Sequence, residues 1–513
     1  MALALLASGN TNYLPQVQTY ARTIAPTNIS LTYTAPVGGG QPNGYGHGMD
    51  VWGWGYNGVF LAEYYMLTGD TNVLRAINQF TLGLAQGQGR YGTMGHGCSL
   101  LDANGNLHGT IPPYGPVNSC GLVANLAIAM GKKAIVASAG TVDPEIPAAM
   151  DRAAKFFGYY VQKGGIPYGE HEPGYLHASN GKDSITALLF AMMGDKPVET
   201  EYWTRLVTAG YNGREYGHTG QGFSYLWGAM AACMGGTNAA IAYLKEIRWH
   251  LDLERRSDGS FVYDGSEQYG GSDTYDYWNT INYNGIDPTA SYVLTYALGK
   301  QQLLITGKNL NSTNWLSDTK VTNAIWAGAF DRVVAGYNTN QLIAALSEYD
   351  PIVRRQAAAV LGTNGSNSFS MVTNLASSTN ALLREAACQT LGYMQNTAAL
   401  PLLSLRLTDT NNWVRAQAAN ALRNFAAAAS PQLTNMMMAF ITNATDPNVI
   451  VWEDPLQIAN GFLGFELFGD AVYGGNNIAS YTITANTNLL YPAVRAGLKQ
   501  PDSKSRHGAS RFA

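Results

Sequence analysis

Charged residues are scarce in this chain of 513 residues, at 13% of the sequence or about half the usual share. The formal net charge of −4 gives no electrostatic reason to expect nucleic acid or an anionic membrane surface as a partner. No run of about 18 apolar residues is found, so we expect no membrane span. Few charges together with many Tyr and Gly residues are typical of exported bacterial proteins. We therefore expect a secreted, periplasmic or cell-surface location.

Cysteine is also rare, and the four cysteines form neither a Cys-x-x-Cys pair nor a Cys/His pattern typical of zinc. Cys98 and Cys120 bracket a loop rich in Gly and Pro. In an oxidising compartment they could form a disulfide, and otherwise they are two free thiols. Phosphate-binding loops, dinucleotide fingerprints and a nucleophilic-serine motif are missing as well, so no cofactor is expected.

A repeated segment dominates the C-terminal third of the chain. Residues 353–362 recur as 383–392 and again as 414–423, at offsets of 30 and 31 residues. Each copy follows an apolar helix and a turn rich in Asp or Asn, and has an Arg at its second position that we expect to bond the preceding turn. These segments resemble HEAT repeats over residues 338–445. Such repeats bury a core only as stacked neighbours, and they usually serve as contact surfaces.

A fainter repeat covers the N-terminal two thirds. Six short apolar helices are each followed by a Gly turn, and several are paired with a more amphipathic second helix. The pattern predicts an all-α chain with an (α/α)6 toroid followed by a short HEAT-repeat α-solenoid, the alternative being an irregular helical array. The apolar helices are expected to end near Gly9, Gly69, Gly131, Gly194, Gly235 and Gly299.

Three regions follow from these patterns. We expect an α/α-toroid domain over residues 1–337, HEAT-like repeats over 338–445, and a C-terminal extension over 446–513 that packs on the rest without a core of its own. Residues 2–6 already have the pattern of an inner helix. This indicates a processed fragment of a longer precursor.

Polar and aromatic residues collect on the loops that lead into the apolar helices. In a toroid all these loops emerge at one pole, which predicts a ligand pocket there, although Gly, Asn, Asp and Ser are also the residues that tight turns and helix caps require. Asp183 or Ser184 is expected to be an N-cap. The proposed substrate-binding residues are His47, Trp52, Trp54, Tyr175, Asn180, Tyr216, Asp273 and Tyr275.

Two chemistries on a glycan fit this residue set. Hydrolysis needs a pair of carboxylates about 5–10 Å apart, drawn from Asp50, Glu170, Glu172, Asp183, Glu215, Glu267, Asp273 and Asp276. Elimination on a uronic acid needs a general base, a general acid and a donor for the sugar carboxylate, drawn from His171, His177, His218, Tyr175, Tyr216 and Asn180. The residues proposed as catalytic are His171, His177, His218, Glu172 and Asp50. A site for a divalent metal ion, with Glu170, His171, Glu172 and His177 as ligands, is the less favoured alternative.

The N-terminal region resembles α/α-toroid proteins, which include glycoside hydrolases, polysaccharide lyases and terpene-cyclase-like toroids. Residues 256–261 are similar to the Asp-Gly-Ser-aromatic turns of the cyclase group, but the acidic Asp-x-Asp-Asp motif of cyclases is absent. A toroid followed by HEAT repeats resembles a bacterial family of exported proteins of unknown function, often with a PDZ-type domain upstream.

Two functional hypotheses result. The first is a carbohydrate-active enzyme that takes a polysaccharide or other glycan, with the HEAT repeats holding a protein partner or a second copy. The alternative is a non-catalytic extracellular protein that binds or self-assembles as a scaffold.

Overall fold

The computed structural model describes residues 1–25, 51–111, 115–170, 173–213, 221–262, 288–310, 312–363 and 368–425, with a few positions between 488 and 499. Within these ranges the chain is all-α, and its β-type pairing is limited to two isolated bridges, Gly165–Gly174 and Arg255–Phe261. Two compact units divide the chain, Met1–Ala329 and Phe330–Ala513. This division lies close to the predicted boundary at residue 337. The predicted C-terminal extension lies almost wholly outside the described residues.

Twelve helices form the described part of the first unit. They are α1 (Ala2–Ala7), α2 (Leu14–Thr23), α3 (Val51–Thr68), α4 (Leu74–Gly87), α5 (Asn118–Ala137), α6 (Glu145–Gly158), α7 (Lys182–Met193), α8 (Pro197–Ala209), α9 (Gln221–Met234), α10 (Thr237–Leu253), α11 (Thr289–Ala297) and α12 (Asp318–Gly328).

Six of these helices contact one another in a cyclic order. α1 packs on α3, α3 on α5, α5 on α7, α7 on α9, α9 on α11, and α11 on α1 again. We call these six the ring helices. α2, α4, α6, α8 and α10 each pack on the ring helix that precedes them in the chain. This alternation of central and flanking helices is what the apolar and amphipathic segments predict.

Glycine ends several ring helices as expected. Gly9, Gly69 and Gly194 have φ between 67° and 83° and follow directly on α1, α3 and α7 or on their caps. This left-handed conformation is easy for Gly because it has no Cβ. The prediction for Gly131 is wrong. It lies inside α5, where a Cβ would stand 1.9 Å from Thr81 Oγ1 on α4, so this glycine serves close helix packing.

α5 is long and apolar enough to cross a membrane by length and hydropathy alone. However, 78% of its most apolar window is buried inside the protein, against α3, α4, α6 and α7. An apolar run of this kind is also what a central helix with neighbours on all sides requires.

The last ring helix departs from the predicted hairpin pattern. In the described chain α11 is followed by short 3-10 turns, and the next long helix, α12, packs on α8 and α10. Leu316 and Val321 bury their side chains against Ala239 of α10. Arg205 of α8 donates to Asn323 over 2.9 Å, which adds a polar contact to the same interface.

Cys98 and Cys120, the two cysteines considered for a disulfide, are both buried and are not bonded to each other. Cys120 Sγ donates to the carbonyl oxygens of Gly95 and Val117 at 3.0 and 3.2 Å. Burial raises the pKa of Cys98 to about 12, so this thiol stays protonated.

The second unit consists of helical hairpins in its described part. After a short α13 (Phe330–Val333) come α14 (Thr339–Ala345) with α15 (Pro351–Thr363), α16 (Phe369–Leu375) with α17 (Ala381–Met394), and α18 (Leu400–Arg406) with α19 (Asn412–Arg423). The second helices pack side by side, α15 on α17 and α17 on α19. Small alanines such as Ala357, Ala387 and Ala418, all fully buried, allow this close approach.

The repeated arginines bond the preceding turn, as predicted. Arg354 Nη1 donates to the carbonyls of Glu348 and Tyr349, and Arg384 Nη1 repeats this bond one hairpin later. Each arginine also reaches an acid of the next hairpin: Arg354 pairs with Glu385 at 3.2 Å, and Arg384 makes two bonds of 2.8 Å to Asp409. One residue type at one repeat position therefore closes a turn and joins successive hairpins.

Candidate functional site

The described residues at and before the starts of α3, α5, α7 and α9 contact one another in pairs, and we call the surface they form the entry face. Val51 at the start of α3 donates to the carbonyl of His96, and Asn118 at the start of α5 donates to that of Tyr168. Gly181, just before α7, packs on Phe223 in the first turn of α9. These contacts join neighbouring segments in pairs, and the prediction that all the entry loops share one pole stays a prediction.

Of the residues predicted for the site, five fall within the described ranges: Trp52, Trp54, Tyr175, His177 and Asn180. The others lie outside the described residues. They are His47, Asp50, His171, Glu172, Tyr216, His218, Asp273 and Tyr275.

Four aromatic side chains form a stack between α3 and α9. The ring centroids are 5.4 Å apart for Phe223 and Trp52, 6.2 Å for Trp52 and Tyr56, and 6.0 Å for Tyr56 and Trp227. The interplanar angles lie between 10° and 18°. In the cyclic order α3 and α9 are three steps apart, so the stack links two ring helices that are not neighbours in that order. Trp52, Tyr56 and Phe223 remain half-buried, whereas Trp227 is fully buried. The stack thus forms an aromatic floor below the entry face.

His96 is fixed at the edge of this floor. Trp52 Nε1 donates to His96 Nδ1 over 2.9 Å, which leaves the proton of the neutral imidazole on Nε2. Burial lowers the pKa of His96 below its ordinary value, so the ring is neutral at pH 7. A neutral imidazole with one nitrogen fixed by a neighbour is suited to proton exchange at the other nitrogen.

Trp54 does not belong to this group. Its ring packs on the ring of Phe80 in the flanking helix α4, with the two ring centroids 4.9 Å apart. Two residues along a helix correspond to a rotation of about 200°, so Trp52 and Trp54 point to opposite sides of α3. From the sequence both tryptophans were assigned to one loop. In the structure both lie in α3, where the helix directs them to opposite sides.

Within the described part of the entry face, the segment 177–184 has the highest density of buried polar side chains. Its members His177, Ser179, Asn180, Lys182, Asp183 and Ser184 are all less than 9% exposed. Ser179, Asn180 and Gly181 have φ of 42°, 62° and 70°, three left-handed residues in succession. Two of them carry a Cβ and are strained there. Backbone strain of this kind clusters at functional sites.

Lys182 and Asp183 place a buried pair of opposite charges at the start of α7. Lys182 is 5% exposed and Asp183 is fully buried. Burial lowers the pKa of Lys182 to about 8, with the charge of Asp183 opposing the change. Asp183 Oδ1 accepts from the backbone N of Ile166 at 2.6 Å, and no side chain caps α7. The prediction of an N-cap at Asp183 or Ser184 is therefore wrong. The Asp183 carboxylate instead accepts a hydrogen bond from the loop that precedes α7, at Ile166.

The same loop is held from the other side by α5. Asn118 Nδ2 donates to the carbonyls of Pro167 and Gly169, at 3.0 and 2.9 Å. Thr93 Oγ1 donates to Glu170 over 3.4 Å. Glu170, one of the predicted carboxylates, is thereby placed between the loop before α5 and the loop before α7. Tyr175 lies half-buried further along, beyond the Gly165–Gly174 bridge.

Several residues of this site were missed by sequence reasoning. Phe223 and Trp227 are four residues apart on α9, as are Trp52 and Tyr56 on α3. This spacing puts two rings on one face of a ring helix and was readable in the sequence. Lys182 had no signal of its own, because nothing in the sequence distinguishes a buried lysine at a helix start from an exposed one. Among the described residues no group of three or more His, Cys, Asp and Glu side chains is placed to hold a metal.

A family described as a domain of unknown function, DUF6288, matches residues 1–307. The chain belongs to this family. The DUF6288 region contains all six ring helices and the described loops of the entry face. A second match, to HEAT repeats, covers residues 339–423 and confirms the resemblance drawn from the repeated arginine segments.

Other comparisons add little to the DUF6288 assignment. No curated protein matches the chain. Among solved structures, an engineered protein is similar, with 12% identity, coverage of 100% of this chain and 98% of the other, and a TM-score of 0.23. A TM-score this low supports no statement about the fold or function of the chain.

Proposed function

We propose that the DUF6288 region is an α/α-toroid that binds a glycan on its entry face and cleaves it, as an exported carbohydrate-active protein. The observation that carries this proposal is the half-buried aromatic floor of Trp52, Tyr56 and Phe223, with His96 at its edge and the polar segment 177–184 beside it. Aromatic rings pack on the apolar faces of sugar rings, and amide, imidazole and carboxylate groups bond the hydroxyls.

The titratable groups beside the floor suit cleavage of a glycosidic bond. Glu170 could protonate a leaving oxygen or activate water, as one of the two carboxylates that hydrolysis needs. For elimination on a uronic acid, His96 Nε2 is suited to proton exchange, and Lys182 supplies a buried positive charge toward a sugar carboxylate. Hydrolysis adds water and yields a new reducing end. Elimination removes the C5 proton and the C4 leaving group and yields an unsaturated uronate.

A non-catalytic function is favoured by one feature of the same floor. Each of its rings already stacks on another ring of the protein, so the stack would also serve to fill the centre of a ring that only binds or assembles.

The decisive experiment uses the whole chain on a panel of neutral and uronate-containing polysaccharides. We expect binding on at least one of them, followed by reducing ends or by ultraviolet absorbance of an unsaturated product. Trp52→Ala and Phe223→Ala should reduce binding at least tenfold. Trp249→Ala is the matched control, because this tryptophan is 59% exposed on α10.

Each outcome decides between the proposals. Binding that depends on Trp52 and Phe223 without any product would show the non-catalytic function. Binding and product release that are equal in Trp52→Ala, Phe223→Ala and the wild type would place the site elsewhere. Absence of both binding and product on the whole panel would overturn the glycan proposal.

A further inference from the structure

One histidine joins a loop between α4 and α5 to the end of α4 and to the start of α6. Residues 100–110 of this loop fold back on themselves: Leu100 N–H donates to the carbonyl of Thr110 at 2.7 Å, and Gly109 N–H donates to that of Leu100 at 2.8 Å. His108 lies near the end of this segment with φ of 70°. This left-handed conformation is uncommon for a residue with a Cβ and persists only where the surroundings hold it.

Both nitrogens of the His108 ring face oxygen atoms. Nδ1 lies 2.9 Å from the carbonyl oxygen of Gln88, and Nε2 lies 3.2 Å from Glu145 Oε1. A carbonyl and an ionised carboxylate can only accept, and a neutral imidazole has one proton for the two of them. The neutral ring would therefore turn the lone pair of one nitrogen toward an oxygen. Only the imidazolium, with a proton on each nitrogen, donates to both.

Other bonds hold the two acceptors in place. Gln88 is the C-cap of α4 and is fully buried. Its Nε2 donates to Asn125 Oδ1 at 2.6 Å and to the carbonyl of Ala149 at 3.0 Å. Arg152 Nε donates to Gln88 Oε1 at 2.9 Å, and Arg152 Nη2 donates to Glu145. Because neither acceptor is free to turn away, a neutral His108 ring has to leave its place.

The charged side chains bonded to this cluster come from α6. They are Glu145 and Arg152, whereas the end of α4 and α5 contribute amide side chains. Asp102, the acid of the loop itself, accepts from N–H groups of its own turn. Burial acts to raise the pKa of Glu145, but the bonds from His108 and Arg152 outweigh it and hold the pKa below its ordinary value. The carboxylate is therefore ionised at neutral pH and has no proton to give to a neutral His108.

We propose that His108 is a pH-dependent switch: as imidazolium it joins residues 100–110 to α4 and α6, and it releases them when it loses a proton to solvent. Histidine ordinarily changes its charge between about pH 5 and 8. The joined state holds two ring protons and the released state holds one at high pH, so rising pH favours release. Relaxation of the left-handed backbone at His108 acts in the same direction.

Release would reach the segment that carries His96. Ile111, the residue that follows the folded segment, packs closely on Gly89 and Gly95. Gly95 directly precedes His96 at the edge of the aromatic floor. The switch does not depend on whether the entry face binds a glycan, but it would make the mobility of this edge depend on pH.

Hydrogen exchange of the whole chain at pH 5.5 and pH 8, followed by mass spectrometry, tests the switch. Exchange rates are corrected for the intrinsic pH dependence of each amide. The protection of peptides that cover residues 99–111 should fall at least tenfold at pH 8, because one of the two bonds of His108 is lost. Peptides from α7 in the same sample are the internal reference, since a general loosening of the fold would affect them equally.

Glu145→Gln separates a proton switch from a simple ion pair. A carboxamide accepts from the imidazolium and donates to the lone pair of the neutral ring, so both bonds of His108 can form at either pH. Residues 99–111 should therefore stay protected at pH 8 in this variant. Arg152 keeps its bond to Gln88.

Two further variants complete the experiment. His108→Ala removes both bonds and should lower the protection of residues 99–111 at both pH values. Glu199→Gln, at a half-buried acid in the first turn of α8, is the matched control and should behave as the wild type. Thermal unfolding of each variant shows that the fold is intact.

Three results would overturn the proposal. Equal protection of residues 99–111 at pH 5.5 and pH 8 in the wild type would show that the proton of His108 does not control them. An equal loss at pH 8 in Glu145→Gln and the wild type would assign the effect to another titrating group. Low protection of Glu145→Gln at both pH values would show that His108 and Glu145 form a simple ion pair.

Discussion

Glu63 shows how strongly a single side chain can depend on its surroundings in this protein. It lies in α3 and is 1% exposed, yet its two carboxylate oxygens accept from the backbone N–H groups of Leu304 and Ile305 at 3.0 and 2.8 Å. These bonds tie a ring helix to the turns that follow α11. Burial raises the pKa of Glu63 from 4.5 to about 7, although the two backbone bonds and the charge of Lys308 act in the opposite direction.

A raised carboxyl pKa makes stability depend on pH in a defined direction. Because the folded state holds this proton more tightly than the unfolded state, the stabilisation is complete below pH 4.5 and is lost as pH rises through about 7. The shift corresponds to about 3 kcal/mol. Urea unfolding of the first unit at pH 5 and pH 7.5 should show this loss in the wild type and a flatter profile in Glu63→Gln. Glu246→Gln on α10 is the control, and an equal slope in Glu63→Gln would contradict the assignment.

The candidate site illustrates what single residues reveal in a sequence. The entry loops were predictable, because Gly-rich segments before apolar helices must lie at one end of those helices. Trp52, His177 and Asn180 were proposed as site residues on this ground. The burial of Lys182 and the bond of Asp183 to Ile166 depend on contacts between segments remote in the chain. No local pattern encodes such contacts.

At the scale of elements, the spacing of apolar residues predicts where helices form, but contacts between helices also determine where some of them end. The hairpins of the second unit were predictable in detail, because each repeat has the same arginine and the same alanines. The end of α5 was not predictable, because Gly131 follows an apolar run in the way that a C-terminal helix cap does, although it lies inside the helix. Its role follows from the approach of α4, which the sequence of α5 does not contain.

Gly131→Ala tests this account of α5. Alanine favours a helix interior by about 1 kcal/mol over glycine, but here its Cβ would overlap Thr81 Oγ1. We expect a net destabilisation of about 1–3 kcal/mol, as for other overpacked sites. Thr81→Ala should relieve it in the double variant, measured by denaturant unfolding. A stabilised Gly131→Ala protein would show that α4 and α5 do not approach this closely.

The arginine–acid links between hairpins allow a second test at this scale. Asp409 accepts from Arg384 and Arg406, and although burial raises its pKa, these bonds hold the pKa below the ordinary value. Asp409→Ala leaves a buried guanidinium without its carboxylate and should cost about 3–5 kcal/mol.

Two further variants check the origin of this cost. The combined change Arg384→Met, Arg406→Met and Asp409→Leu should be close to neutral, because all three members of the charged cluster are removed together. Asp331→Ala, on the exposed face of α13, is the control in chemical denaturation of the second unit. A small effect of Asp409→Ala would show that the link contributes little.

At the scale of the whole molecule, the first unit depends on contact between its two ends. α1 and α11 are neighbours in the cyclic order, so the helix at residues 2–7 completes the environment of the helix at 289–297. The sequence predicted six helices of one kind. Their order around a closed cycle is a property of tertiary contacts.

Leu6→Ala tests this dependence. Leu6 is 2% exposed, and loss of its buried methyl groups should cost about 2–5 kcal/mol. Hydrogen exchange should then quicken in α11 as well as in α1, because the two helices share an interface. Met1→Ala, at 65% exposure, should leave exchange unchanged. Faster exchange confined to α1 would show that closure of the cycle does not stabilise the far end.

The contact of α1 with α11 also bears on how the chain is made. A ribosome adds about 5–20 residues per second, so α1 waits about 15–60 seconds before α11 has been synthesised. During that interval its apolar face has only part of its final surroundings. Folding of the first unit must then join segments almost 300 residues apart, and contacts between segments so far apart slow folding. Newly synthesised chains of this protein are therefore expected to depend on chaperones until α1 and α11 are in contact.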